Sequence, residues 1–242
     1  TWSQKTIANR RGIMIAGAKA LYASTGYLIE SVEGGFCLFA LGCAGNIVPI
    51  QRRGRSKRQL GLSLGGLSLK TLQWIETTGD IKLRAARKEI ELLLRPFPEL
   101  EEMERQITEA KAAFETAQKR EAPPRELTEL RETLRTAESL PRWAKRFEHA
   151  SGSRTEIQAF WIGDTPIVGL PGEVFVELGQ QIKNALKASP AFVISLSNDS
   201  PGYIPTRQAY EEGGYESTTS PFAPGCGEHL VKEALDLAES IR

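Results

Sequence analysis

Apolar and polar positions in this chain follow two different periods, and the switches between them divide it into three parts. Ile13, Ala16, Ala20 and Tyr27 lie near one helical face, which predicts a helix from about Ile7 to Tyr27. Gly34-Gly35 then leads into GFCLFALG, a short apolar run with the composition of a buried strand. That run ends in the small-residue loop GCAGNIVP, Gly42 to Pro49. A second helix is expected from Leu67 to Thr77, followed by a strand-like or mixed stretch to Arg95.

From Glu99 the period changes. Leu100, Met103, Ile107, Ala110, Phe114 and Ala117 recur at heptad spacing among charged residues. Pro123-Pro124 interrupts the run, and Leu127, Leu130, Leu134 and Ala137 resume it. A helix, a proline turn and a second helix make an antiparallel hairpin closed along that seam. After His149-Ala150-Ser151-Gly152 the strand pattern returns. EIQAFWIG and TPIVGL read as two strands joined at Gly163-Asp164. Val174 to Leu186 reads as a helix with Phe175, Leu178, Ile182 and Leu186 on one side. AFVISLS is a further buried strand, and Glu228 to Ile241 a closing helix. The fold class is α/β: a mixed sheet with flanking helices plus an inserted antiparallel helical hairpin. Its expected divisions are 1–96 and 151–242 for the α/β domain, with 97–150 as the arm.

Composition narrows the function classes only a little. The chain has 242 residues, 40% of them hydrophobic and 25% charged, as in an ordinary globular protein. A net charge of +1 gives no reason to expect nucleic acid as partner. QRRGRSKR, Gln51 to Arg58, holds five basic residues in eight and reads as a solvated loop that could also grip an anionic group. No apolar run is long enough to span a bilayer. The odd count of three cysteines, Cys37, Cys43 and Cys226, is no disulfide framework, and free buried thiols are the expectation. The chain begins at Thr1, which fits a processed product or part of something longer, and leaves secreted and cytoplasmic settings equally open.

Candidate chemistry gathers between Ile157 and Gly227. GLPGE ends in Glu173, where a strand gives way to a helix, and SNDSPGYIPTRQAYEEGGYE carries Tyr203, Tyr210 and Tyr215. A carboxylate and two phenols at the ends of neighbouring elements are where catalytic groups sit on α/β scaffolds. An acidic residue favoured by a helix N-terminus is the plainer reading of Glu173. Tyr210 reads as packing. The hairpin arm could meet a partner or a second copy of the chain, or simply satisfy its own seam.

At GLPGE, GYIPT and GGYE, with FALGCAGNIVP and SPFAPGCGE beside them, the chain resembles the neutral ceramidase family over nearly its whole length. The two motif tyrosines stand twelve positions apart. The resemblance implies a zinc-dependent hydrolase of an N-acyl amide bond, ceramide-like in the best-known members. It implies Glu173 and Tyr215 as zinc ligands and Tyr203 as the catalytic phenol facing the carbonyl. The family's two histidine ligands come from an N-terminal half that this sequence does not contain, and neither His149 nor His229 matches their motifs. A companion chain or the rest of the same protein is therefore the implied partner. The family also has a serine and an aspartate where Gly42 and Asn46 stand here, and Cys43 beside them completes a candidate pocket loop. Without a neighbouring histidine, Cys43 reads as structural rather than as a nucleophile. The alternative is a non-catalytic subunit that keeps the fold and uses the arm for contact.

Overall fold

The computed structural model describes residues 14–48, 57–77, 79–188 and 190–242. They belong to two compact units, one of Thr1–Ala40 with Val48–Asp80, the other of Leu41–Ile47 with Ile81–Arg242.

In the smaller unit, α1 (Met14–Glu33) packs on α2 (Lys57–Leu72). Gly65 permits the close approach, since a Cβ there would lie 3.1 Å from Leu28 Cδ2 and 3.2 Å from the Thr25 carbonyl. Thr25 Oγ1 donates to the Gly61 carbonyl at 2.9 Å. The predicted start of the first helix and Gln51–Ser56 of the basic run lie outside the described residues. α2 begins well before Leu67 because Gly61, Gly65 and Gly66 blur its apolar period without stopping the helix. The predicted strand GFCLFALG is not one: the run is irregular, with Phe36 96% and Leu38 93% exposed. A fully apolar strand is stable only between neighbours that pair its backbone and cover its faces, and Phe36–Ala40 has no described strand partner. Cys37 is correspondingly half-buried rather than buried, whereas Cys43 and Cys226 are buried as expected.

The larger unit is built on a four-stranded sheet. β1 (Leu83–Leu93) and β2 (Gly152–Ile162) pair antiparallel over their full length, Leu83 opposite Ile162 and Leu93 opposite Gly152. β3 (Thr165–Gly169) follows β2 through the Gly163-Asp164 turn. The chain then crosses over through β4 (Glu173–Val174) and α5 (Val176–Leu186) to β5 (Phe192–Ile194), which lies parallel to β3. β6 (Tyr203–Ile204) pairs with β4 in a second, two-stranded sheet. Two short helices, α6 (Arg207–Glu212) and α7 (Tyr215–Thr219), precede the closing helix α8 (Cys226–Ser240). Alternation in β2 turns Ile157, Ala159 and Trp161 inward, where α8 covers them, and Trp161 Nε1 donates to the Ala238 carbonyl at 2.8 Å. Leu178, Ile182 and Leu186 of α5 join the same core with 0–1% exposure. At about 1.5–3 kcal/mol for each such side chain, this stripe is what holds α5 in place.

Between β1 and β2 rise α3 (Leu100–Lys119) and α4 (Pro124–Arg146), the antiparallel arm that the heptads predict. Its seam is built on small residues, with Ala110, Ala117 and Ala137 buried beside Met103. Pro124 opens α4 at a position that needs no N–H partner. Leu100, the first seam residue, opens α3 and is 59% exposed. α4 does not stop at Ala137 or at Pro141 but runs on to Arg146.

Leu178→Ala is expected to lower the stability of the larger unit by about 2–5 kcal/mol in urea denaturation, from lost burial plus a cavity. Phe36→Ala, at a side chain already in solvent, is expected to stay within about 0.5 kcal/mol.

Candidate functional site

Glu173 and Tyr203 meet because two very short strands run in parallel. The register sets Glu173 opposite Tyr203 and Val174 opposite Ile204. Glu173 N–H donates to the Gly202 carbonyl at 2.9 Å and Phe175 N–H to the Ile204 carbonyl at 3.1 Å. Residues opposed in neighbouring strands send their side chains to the same face, so the carboxylate and the phenol share one side of the bridge. Val174 and Ile204, fully buried, anchor the other side. Gly172, at φ +71, permits the turn into β4, and a Cβ there would fall 2.7 Å from the Gly202 carbonyl.

The Tyr203 phenol lies beside the charge of the Glu173 carboxylate. Burial first, then the negative charge of Glu173, with Tyr215 and Glu216 nearby, holds this phenol above the ordinary tyrosine range. It is thus a neutral donor at any physiological pH. Tyr215, first residue of α7, meets the Tyr203 ring edge-on at 6.2 Å and 76°. Gly213 and Gly214, at φ +77 and +111, make the turn that sets α7 beside β6. Three of the sequence-predicted residues, Glu173, Tyr203 and Tyr215, are therefore neighbours. Glu216, the last residue of GGYE, joins them by charge; it escaped the sequence reading although it stands next to a chosen tyrosine.

The loop residues Gly42, Cys43 and Asn46 take up another position. Gly45 N–H donates to the Val174 carbonyl at 2.9 Å, which binds the loop to the free edge of β4. Asn46 Oδ1 accepts the Val176 N–H at 2.9 Å, and its Nδ2 donates to the two Glu177 oxygens at 3.0 and 2.8 Å. It caps α5 from a distant point in sequence, since the N-cap residue Phe175 has no capping side chain. The Gly42 carbonyl accepts from Ser195 Oγ at 2.8 Å. Cys43 packs against Gly179, where a Cβ would lie 2.7 Å from its sulfur. Burial pushes its thiol up to about 11, despite the opposing charge of Lys183. It is a protonated core residue at neutral pH, as the missing histidine implied.

Tyr210 is a packing residue, as expected. Its hydroxyl donates to the Phe222 carbonyl at 2.9 Å and lies 3.0 Å from Ser220 Oγ. Burial foremost raises it to about 12. His149 is 92% exposed at the base of the arm, and His229 lies exposed in the first turn of α8. Neither is among the groups facing Tyr203. Among the described residues no three His, Cys, Asp or Glu side chains cluster closely enough to hold a metal. The converging donors are all oxygens, whereas zinc sites are dominated by histidine and cysteine. Taken alone they do not fit a zinc ion; they fit part of a ligand set.

What this arrangement defines is a mixed α/β fold in which a parallel crossover ends at a carboxylate paired with phenols. That fold is shared with neutral ceramidases. The chain superposes on neutral ceramidase from Pseudomonas aeruginosa with a TM-score of 0.53 and 15% identity, over 90% of this chain and 39% of that one. A ceramidase complexed with C2 gives 0.53 and 13%, over 88% of this chain and 41% of that one. The chain thus spans about two fifths of the ceramidase chains it matches. No family model matches the sequence, and no curated protein does.

Two outcomes test the loop. Asn46→Asp sets a carboxylate against Glu177 and is expected to cost about 1–2 kcal/mol in thermal denaturation, recovered when Glu177→Gln restores a donor. Iodoacetamide at pH 7.5 is expected to label Cys37 in the native protein and Cys43 only after unfolding, as read by peptide mass spectrometry.

Proposed function

We propose that this chain is the C-terminal portion of a zinc-dependent hydrolase of N-acyl amide bonds, with Glu173, Tyr203 and Tyr215 as its share of the site. The observation that carries this reading is the in-register pairing of Glu173 with Tyr203, with Tyr215 against it, in a fold shared with neutral ceramidases. The nitrogen ligands come from polypeptide outside this sequence, either the preceding half of the same protein or a companion chain. The substrate class follows the relatives' name: a lipid amide of the ceramide type, or a smaller N-acyl compound.

A bound zinc ion supplies an acidified water and a polarised carbonyl. Glu173 brings the negative charge that draws a cation to this end of β4. We keep the roles that the resemblance gives, Tyr215 to the metal and Tyr203 to the carbonyl. Tyr203, opposite Glu173 in the register and kept neutral by burial and by the charge of that carboxylate, would donate to the oxyanion. Tyr215, edge-on to the Tyr203 ring, would join Glu173 in holding the metal. A neutral phenol such as Tyr203 serves the transition state more than the ground state.

In the complete polypeptide, Glu173→Ala is expected to lose its zinc, measured by elemental mass spectrometry on the dialysed protein. One zinc per chain retained in that variant sinks the assignment. Tyr215→Phe is expected to weaken zinc affinity, and Tyr203→Phe to keep zinc while kcat on a fluorogenic N-acyl amide falls about 10²–10³-fold. A parent polypeptide that binds no zinc and cleaves no amide points instead to a non-catalytic binding subunit.

A further inference from the structure

The arm has no part in the chemistry just described, yet α4 ends against the segment that delivers Tyr203. Residues 199–202 run straight into β6, and α4 touches them twice. The space that a Cβ on Gly202 would fill is taken by the Trp143 ring, with Cζ2 at 3.0 Å and Cη2 at 3.2 Å. Arg146 donates to the Ser200 carbonyl at 3.2 Å and reaches the Asp199 carboxylate at 3.5 Å. Further back along α4, Thr136 meets Thr218 of α7 at 3.4 Å, so the same helix also touches the element that begins with Tyr215. Trp143 is itself well fixed: it is 4% exposed, stacked on Phe147 at 5.9 Å, and lies against the Arg142 and Arg146 guanidinium groups at 5.0 and 5.6 Å.

The opposite side of the same segment faces the carboxylate strand. Gly172 N–H donates to the Asp199 carbonyl at 3.1 Å, and Glu173 N–H donates to the Gly202 carbonyl at 2.9 Å. One residue, Gly202, thus separates the Trp143 ring from the backbone of Glu173. A two-residue bridge is too short to be rigid alone, and Gly202, at φ +119, is the softest residue beside it. Side chains that must meet at a fixed distance need a packed support behind them.

We infer that Trp143 and Arg146 are positioning residues: the arm clamps residues 199–202 from behind and thereby sets Tyr203 against Glu173. The catalytic use of this clamp rests on the hydrolase reading, whereas its geometry does not. It gives the arm a task inside its own chain.

The test uses the 242-residue chain labelled with 3-fluorotyrosine, whose five tyrosine resonances are assigned by single Tyr→Phe variants. Glu173→Gln is expected to shift the Tyr203 fluorine resonance, because it removes the charge beside that phenol. In Trp143→Ala, and independently in the milder Arg146→Gln, the response to Glu173→Gln is expected to be lost while circular dichroism stays native. Trp143→Phe should restore most of it. Phe114→Ala, which alters the arm at its contact with Arg131, should leave the response intact. A full response in folded Trp143→Ala and Arg146→Gln chains overturns the clamp, as does an equal loss in Phe114→Ala. Neither result touches zinc binding by the complete polypeptide, so the clamp and the hydrolase reading can fail separately.

Discussion

The parallel bridge between Glu173–Val174 and Tyr203–Ile204 is the constraint on which the larger unit is organised. It is only two residues long on each side, yet it fixes which side chains share a face. Everything near it works to keep it closed. Gly172 and Gly202 let the backbones approach, and Val174 and Ile204 anchor the bridge from below. The 41–47 loop occupies the remaining edge of β4 through Gly45, so that this short strand is paired on both sides. A strand this short would not hold by its own ladder; it holds because its neighbours leave its polar backbone nowhere else to go.

The same bridge gives Gly42 and Asn46 their place in this fold. Asn46 spends its amide on capping α5 and on Glu177, and Gly42 offers only its carbonyl. The loop thus supports the start of α5 rather than presenting reactive groups. Cys43, turned into the core against Gly179, belongs to that support. Placing the loop with the scaffold leaves Glu173, Tyr203, Tyr215 and the charge of Glu216 as the groups that converge beside the bridge.

The helical arm illustrates how an insertion can be absorbed by a sheet. β1 and β2 pair over eleven positions on either side of it, so the arm interrupts the sequence without interrupting the ladder. Its heptads close the two helices on each other, and small seam residues let them approach. The last turns of α4 then do something that the heptads do not describe, reaching past Pro141 to lay Trp143 and Arg146 on the segment before Tyr203. An element whose sequence reads as self-sufficient is coupled to the candidate site through a few contacts at its base.

The sequence by itself determined the periodic elements. The arm, the β2–β3 hairpin and the apolar stripe of α5 were all legible, because each is fixed by local spacing and by turn residues that admit few conformations. It also singled out Glu173, Tyr203 and Tyr215, through motifs that resemble a known family, and the fold makes these three neighbours. The apolar run Phe36–Leu41 misled for a physical reason: composition states what would suit a strand, but only a neighbouring strand can make one. The tertiary structure alone decided the rest. Which phenol lies against Glu173 depends on the register of a two-residue bridge, and that register has no signature in either strand. The cap on α5 comes from Asn46, 130 positions away, and the support of Tyr203 comes from Trp143 across the arm. Local patterns fix elements; pairing between residues distant in sequence fixes sites, and that pairing exists only once the core has closed.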